Sequence, residues 1–195
     1  MPEQLFYHIY NRGVDKRPVF IQHGDYMRLF SLFDRYLGLE QRHSDENFVY
    51  PHFADAVSLL SFCLMPNHFH LLLQATEPAH ISKFMQSLKT AYCRFFNEKY
   101  GRSGVLFESR YHRRLITHEA DYLQMSRYIH LNALAITPDY DQYPYSSLQF
   151  YLYKSPPAWL TTGPVLDYFD NPEAYKAFHD AHVRQLASTA LAYTN

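Results

Sequence analysis

A chain of 195 residues with 47% hydrophobic and 19% charged residues has the composition of one well-cored globular domain, with or without an appendage, and leaves little room for long disorder. A net charge of −1 excludes a uniformly polycationic binder of nucleic acid, and no apolar run approaches the roughly 20 residues that a membrane helix needs. Two cysteines, Cys63 and Cys93, imply no disulfide framework, and the amino-terminal stretch MPEQLFYHIYNRG has neither the basic start nor the apolar core of a signal peptide; together these point to a reducing, cytoplasmic setting.

Leu5 to Asn11, rich in β-formers and ended by Gly13, reads as a first strand. Met27, Phe30, Phe33 and Leu37 recur at helical spacing, which predicts a helix over Asp25–Leu37. A polar, irregular stretch, GLEQRHSDENFVYPHF, follows as a loop of about sixteen residues. Val57 to Leu64 is a buried strand, Met65-Pro66-Asn67 its turn, and His68 to Gln74 the antiparallel return. The stripe Phe84, Leu88, Tyr92, Phe95 predicts a helix over roughly 81–100, stopped by Gly101. Val105 to Thr117 reads as a strand carrying basic residues, and Glu119 to Leu134 as a helix. Beyond Pro138 the chain turns Pro- and Tyr-rich and closes in a short helix around 172–186.

The order β-α-β-β-α-β, then α, is that of an α+β fold, the ferredoxin-like split βαβ: one antiparallel sheet with helices on one face, the other face open as a platform. Residues 1–150 form the core unit and residues 151–195 a C-terminal extension without a motif.

Two features carry chemistry. In MPNHFHLLLQ the period of two puts His68, His70, Leu72 and Gln74 on one face of a strand and Phe69, Leu71 and Leu73 on the other, so two imidazoles stand side by side at the head of a core strand. Such a pair is a metal site or two structural imidazoles. On the helix DYLQMSRYIHLNAL, Tyr128 and Asn132 are four residues apart and share a face. Two histidines and a carboxamide oxygen can hold a divalent ion with positions left for phosphate oxygens. A tyrosine one turn away can then be a nucleophile, because a phenol with an ordinary pKa near 10 needs a metal or base beside it to react. Charge is also concentrated: between Ile81 and His118, Lys83, Lys89, Arg94, Lys99, Arg102, Arg110, Arg113 and Arg114 stand against only Glu98 and Glu108, a local +6 that suits phosphate contact or a solvated helix face.

The blocks IYNRGVDKRPVF, SFCLMPNHFHLLLQ, FMQSLKTAYCRFFNEKYGRSGVLFESRYHRRLI, YLQMSRYIHLNAL and YPYSSL, in this order from Phe6 to Leu148, resemble those of the REP-associated tyrosine transposases, single-tyrosine enzymes of the HUH class. The resemblance implies that residues 1–150 are a catalytic domain. His68-Phe69-His70 would be the histidine pair, Tyr128 the nucleophile, and Asn132 the residue completing a site for Mg²⁺ or Mn²⁺. It implies cleavage and rejoining of single-stranded DNA beside hairpin-forming palindromic repeats through a 5′-phosphotyrosine, without a membrane, in a monomer or homodimer. Candidate DNA contacts are Asn11, Arg12 and Gly13 in the first turn, with Lys83, Arg102, Arg110, Arg113 and Arg114 in the basic segment. Ala133 stands where relatives commonly have Pro. Two alternatives remain open: a nickase of the replication-initiator or relaxase kind, and a hairpin-binding protein without cleavage. Tyr122 and Tyr111 are alternate nucleophiles.

Overall fold

The computed structural model describes residues 5–44 and 48–192. Four strands, β1 (Leu5–Arg12), β2 (Val57–Met65), β3 (His68–Ala75) and β4 (His112–Ile116), form one sheet in the order β2-β3-β1-β4, every neighbouring pair antiparallel. Helices α1 (His23–Leu37) and α2 (Pro78–Lys99) follow β1 and β3, α3 (Glu119–Leu131) follows β4, and α4 (Leu148–Leu152), α5 (Gly163–Leu166) and α6 (Pro172–Ala192) complete the chain. This is the split βαβ arrangement expected from the element order. The loop after α1 is irregular on either side of residues 45–47, which lie outside the described residues.

One face of the sheet is covered as predicted. Tyr7, Ile9, Leu59, Phe62, Leu64, Phe69, Leu71 and Leu73 pack against Leu32 and Phe33 of α1 and Phe84, Leu88 and Tyr92 of α2. Asp25, fully buried, ties the two helices: it accepts from Lys99 Nζ (2.6 Å), Tyr100 Oη (2.8 Å) and the backbone N–H groups of Ile21 and Gln22. Burial alone would raise its pKa, but these four donors hold it below the ordinary value.

The opposite face is not left open throughout, which corrects the expectation of helices on one face only. Leu60, Cys63, Met65 and Leu72 make the β2–β3 half of that face apolar, and it is covered by Tyr122 and Ile129 of α3 with Tyr151, Val165 and Tyr175. Residues 151–192 therefore close a second core and are part of the same body; Thr161 N–H also bonds to Leu59 O at 2.9 Å. On the β1–β4 half the same parity brings His8, Tyr10, Arg12, His112 and Arg114, so there is little apolar surface to cover, and this half stays accessible.

A second correction concerns 105–117, where only His112–Ile116 is a strand. Leu106 and Phe107 are apolar because they plug the first core, Phe107 edge-on to Phe69 at 5.6 Å. The carbonyls of Ser109 and Arg110 are captured by Asn11 Nδ2 (3.0 and 3.1 Å) and by Lys89 Nζ, in place of a strand partner.

Candidate active site

The accessible half-face gathers rings from three strands. The register sets His70 opposite Tyr10 and Arg12 opposite His68 across β1–β3, and Tyr10 opposite His112 and His8 opposite Arg114 across β1–β4. Tyr10 stacks between His70 (centroids 5.7 Å) and His112 (4.7 Å), and His8 stacks on His70 at 5.1 Å. From α3 the half-exposed ring of Tyr128 stands edge-on over the pair, 5.7 Å from His70 and 5.9 Å from His8, at interplanar angles of 84° and 82°. The space between holds about 540 Å³ and is lined by His8, Tyr10, His70, His112, Arg114 and Tyr128 among others. Two sequence-predicted residues 58 positions apart in the chain, His70 and Tyr128, thus meet within one molecule.

The histidine nitrogens are sorted by hydrogen bonds. His68 Nδ1 is 2.7 Å from Asn67 Oδ1, so it is the donor there, and Nε2 keeps its lone pair. His70 Nδ1 is 2.9 Å from His8 Nε2, and with the proton on His70 Nδ1 its Nε2 is likewise an acceptor. Burial pushes His70 down to about 3, with His8 and His68 adding to the effect, and His8 down to about 4, with Arg114 adding. His68 is lowered by burial and then by Arg12. Neutral imidazoles with orienting partners on the far nitrogen are what a metal requires of its ligands.

Among the described residues no group of three His, Cys, Asp or Glu is arranged to hold a metal ion. The donor set that fits one is two imidazole nitrogens completed by oxygen of another kind. Asn132 caps the C-terminus of α3, one turn beyond Tyr128. Its Nδ2 donates to Tyr128 O at 2.8 Å, which leaves Oδ1 as an acceptor; no hydrogen bond joins it to either histidine.

The expected DNA contacts divide. Arg12, half-buried beside His68, has its Nε buried with no hydrogen-bond partner among the described residues, and Arg114 is exposed opposite His8; both border the site. Arg113 also lines the hollow, but its guanidinium crosses to the helix-covered side, over the Tyr7 ring at 5.3 Å, with Nη1 on Pro78 O at 3.4 Å. Lys83 is exposed on α2, Arg102 lies over Phe96 and Arg110 over Tyr111. The basic segment is therefore not one surface, and Lys89 and Lys99 are spent inside the fold. Asn11 is fully buried and clamps the 109–110 backbone, which removes it from direct contact with DNA. At Gly13 a Cβ would meet Arg17 O at 2.2 Å, so the close approach that needs glycine is to its own chain. Of the alternate tyrosines, Tyr122 is buried on Phe6 with its hydroxyl on Pro164 O, and Tyr111 bonds Ser82 of α2; neither faces the histidines.

His8, Tyr10 and His112 escaped the sequence reading. The signal was present: Phe6, His8, Tyr10 and Arg12 alternate along β1, and in the split βαβ order β1 lies beside the histidine strand.

Residues 52–132 match the family described as "Transposase IS200 like", a segment that contains His68, His70, Tyr128 and Asn132 and excludes β1. Among solved structures the chain is similar to a REP-associated tyrosine transposase bound to a REP hairpin, with 14% identity over 75% of this chain and 76% of that one and a TM-score of 0.50. It is also similar to a "putative transposase" from Deinococcus radiodurans R1, with 20% identity over 66% and 91% of the two chains and a TM-score of 0.43. The first of these has the same fold. No curated protein matches the chain.

Proposed function

We propose, on the premise that this chain is an IS200-like transposase over residues 52–132, that it cuts and rejoins single-stranded DNA beside hairpin-forming repeats through a phosphotyrosine. The observation that carries this reading is the placement of Tyr128 edge-on to His70 and His8 in one chain, half-exposed over a hollow that Arg114 also lines. The solved relative holding a REP hairpin supports the choice of DNA.

Tyr128 Oη attacks the scissile phosphorus, the phenolic proton leaves to solvent, the P–O3′ bond breaks, and the 3′-oxygen departs as a hydroxyl. The strand 3′ of the break stays on Tyr128 by its 5′ phosphate, and attack by a 3′-OH reverses the step, so no nucleotide cofactor is consumed. Arg12 and Arg114 hold the phosphate oxygens and neutralise charge as it develops. His68 Nε2, His70 Nε2 and Asn132 Oδ1 would hold a divalent ion, Mg²⁺ or Mn²⁺, which when bound supplies Lewis-acid polarisation of the phosphate. Asn67 holds a proton on His68 Nδ1, and a proton on His70 Nδ1 shared with His8 Nε2 would leave the other nitrogen of each ring for the ion. Because Tyr128 and the histidines belong to one chain, a monomer suffices.

The test is Tyr128→Phe, which removes one oxygen from a half-exposed ring. Hairpin affinity should persist within a few-fold, while the covalent protein–DNA adduct seen with wild type in Mg²⁺ or Mn²⁺ should disappear. An adduct that survives in the variant overturns the assignment, and its absence in wild type favours a hairpin-binding protein without cleavage.

A further inference from the structure

The sheet face that carries the histidines continues past them into a second hollow of about 730 Å³, which the mechanism above does not use. Phe6 lies two residues from His8 on β1, about 7 Å along a strand. That is roughly the rise of two stacked bases on one DNA strand. Above it, α3 carries Tyr122 over the hollow and Tyr128 over the active site, six residues and about 9 Å apart.

Its walls are flat and aromatic. Phe6 and Tyr122 stack at 4.7 Å and 6°, and Tyr168 stands across Tyr122 at 5.9 Å and 79°. Tyr168 remains 48% exposed, although it lies two residues beyond the short helix α5 that helps to close the second core. The rim carries Gln74, His118 and Asp167, whose side chains make no hydrogen bond or ion pair with other described residues. Flat apolar walls with unspent donors and acceptors at the edge are what an unpaired base demands. A phosphate-bearing cofactor would ask for the opposite balance, because the described lining carries the Asp167 carboxyl group and neither lysine nor arginine.

We infer that this hollow is a nucleobase pocket for the nucleotide one or two positions from the scissile phosphate. The base packs against Tyr168, and Gln74, His118 and Asp167 read its edge. The inference rests on the strand-transferase reading and gives the C-terminal extension a task, because Asp167 and Tyr168 come from it. The pocket makes the chain selective for the base beside the cut, independently of the hairpin.

The experiment uses Tyr128→Phe protein, so that the strand stays intact, and single-stranded hairpins with 2-aminopurine at each position flanking the cut in turn. Stacking should quench the fluorescence several-fold at one flanking position only. Tyr168→Ala should abolish that quenching and weaken binding about tenfold, within the range for loss of one base stack. An abasic nucleotide at the same position should cost the Tyr168→Ala protein less than it costs the protein that keeps Tyr168. Asp167→Asn should change the ranking of the four bases there in the adduct assay with Tyr128 present. Thermal melting of Tyr168→Ala controls for folding, and Tyr168→Leu serves if alanine unfolds the chain. Quenching absent at every flanking position, or unchanged by loss of the Tyr168 ring, overturns the pocket while wild-type adduct formation still stands. A wild type that binds and cuts no hairpin overturns the strand-transferase reading and this inference with it.

Discussion

Arg114 faces His8 across the β1–β4 pair, whereas Arg113, one residue earlier, lies over Tyr7 on the helix-covered side of the sheet. Equal charge in adjacent positions therefore does different work. Replacing Arg114 by Ala should weaken hairpin binding at low salt and reduce the slope of log affinity against log salt by about one, the signature of one lost phosphate contact. Arg113→Ala should leave that slope unchanged. Titrations at several salt concentrations check this, and equal slopes for the two variants would return the basic segment to a single undivided surface. Residue by residue, the sequence was most informative where spacing within one element decides. His68 with His70 on a strand, and Tyr128 with Asn132 on a helix, are such pairs. It failed where a partner comes from another strand: His70 and His8 share a hydrogen bond, and only the strand order brings them together. It also misread Asn11, because a polar residue beside Arg and Gly looks like a contact, whereas its amide is spent on two internal carbonyls.

Helix α3 places Tyr128, the proposed nucleophile, and α6 holds α3. Ser126 Oγ meets Tyr175 Oη at 3.0 Å, Arg127 donates to Phe178 O at 3.2 Å with its guanidinium 4.1 Å over the Phe178 ring, and His130 Nδ1 is 3.3 Å from His179 Nε2. The far nitrogen of His130 bonds Ser147 Oγ at 2.7 Å. These residues bracket Tyr128 on both sides, so the C-terminal helix sets its height over the histidines. His130 Nδ1 keeps Tyr175 Oη at 3.2 Å, so His179→Leu removes one of its two partners and leaves a hole beside it, at a cost on the order of 1 kcal/mol. The variant should melt lower, form adduct about tenfold more slowly, and bind hairpin DNA as wild type does. A lower melting temperature with an unchanged adduct rate would show that α6 is only structural. At this scale periodicity found α1 and α2, whose apolar stripes face the first core. It overextended β4, because Val105-Leu106-Phe107 is apolar for plugging a core and not for pairing.

Across the whole molecule, acid should act through histidine before it acts through carboxylate. Burial holds His130, fully enclosed next to His179, well below its ordinary value. Burial with help from Arg127 brings His179 down to about 4 in spite of its hydrogen bond to Tyr175 O. For a base lowered by folding, the unfolded chain takes up the proton first. Stability is therefore whole above the unfolded value near 6.5 and is lost as pH falls from there toward 4, by up to about 1.4 kcal/mol per pH unit for each histidine. Asp25, lowered in the fold, begins to lose its contribution only below 3.8. Melting temperatures should thus be level from pH 8 to 7 and decline steadily from 6.5 to 4.5, and a level profile down to 4.5 would refute the buried-neutral state of the pair. The sheet order has another consequence. β1 and β3, which carry His8, His68 and His70, are the two inner strands, bonded on both sides, while α3 is joined to its surroundings by side chains. Amide protons of the inner strands can then exchange with solvent only when the whole molecule opens, whereas those of α3 can exchange through a smaller excursion. The active centre is thereby divided into an anvil that does not move and a hammer that can be lifted without unfolding what lies beneath it.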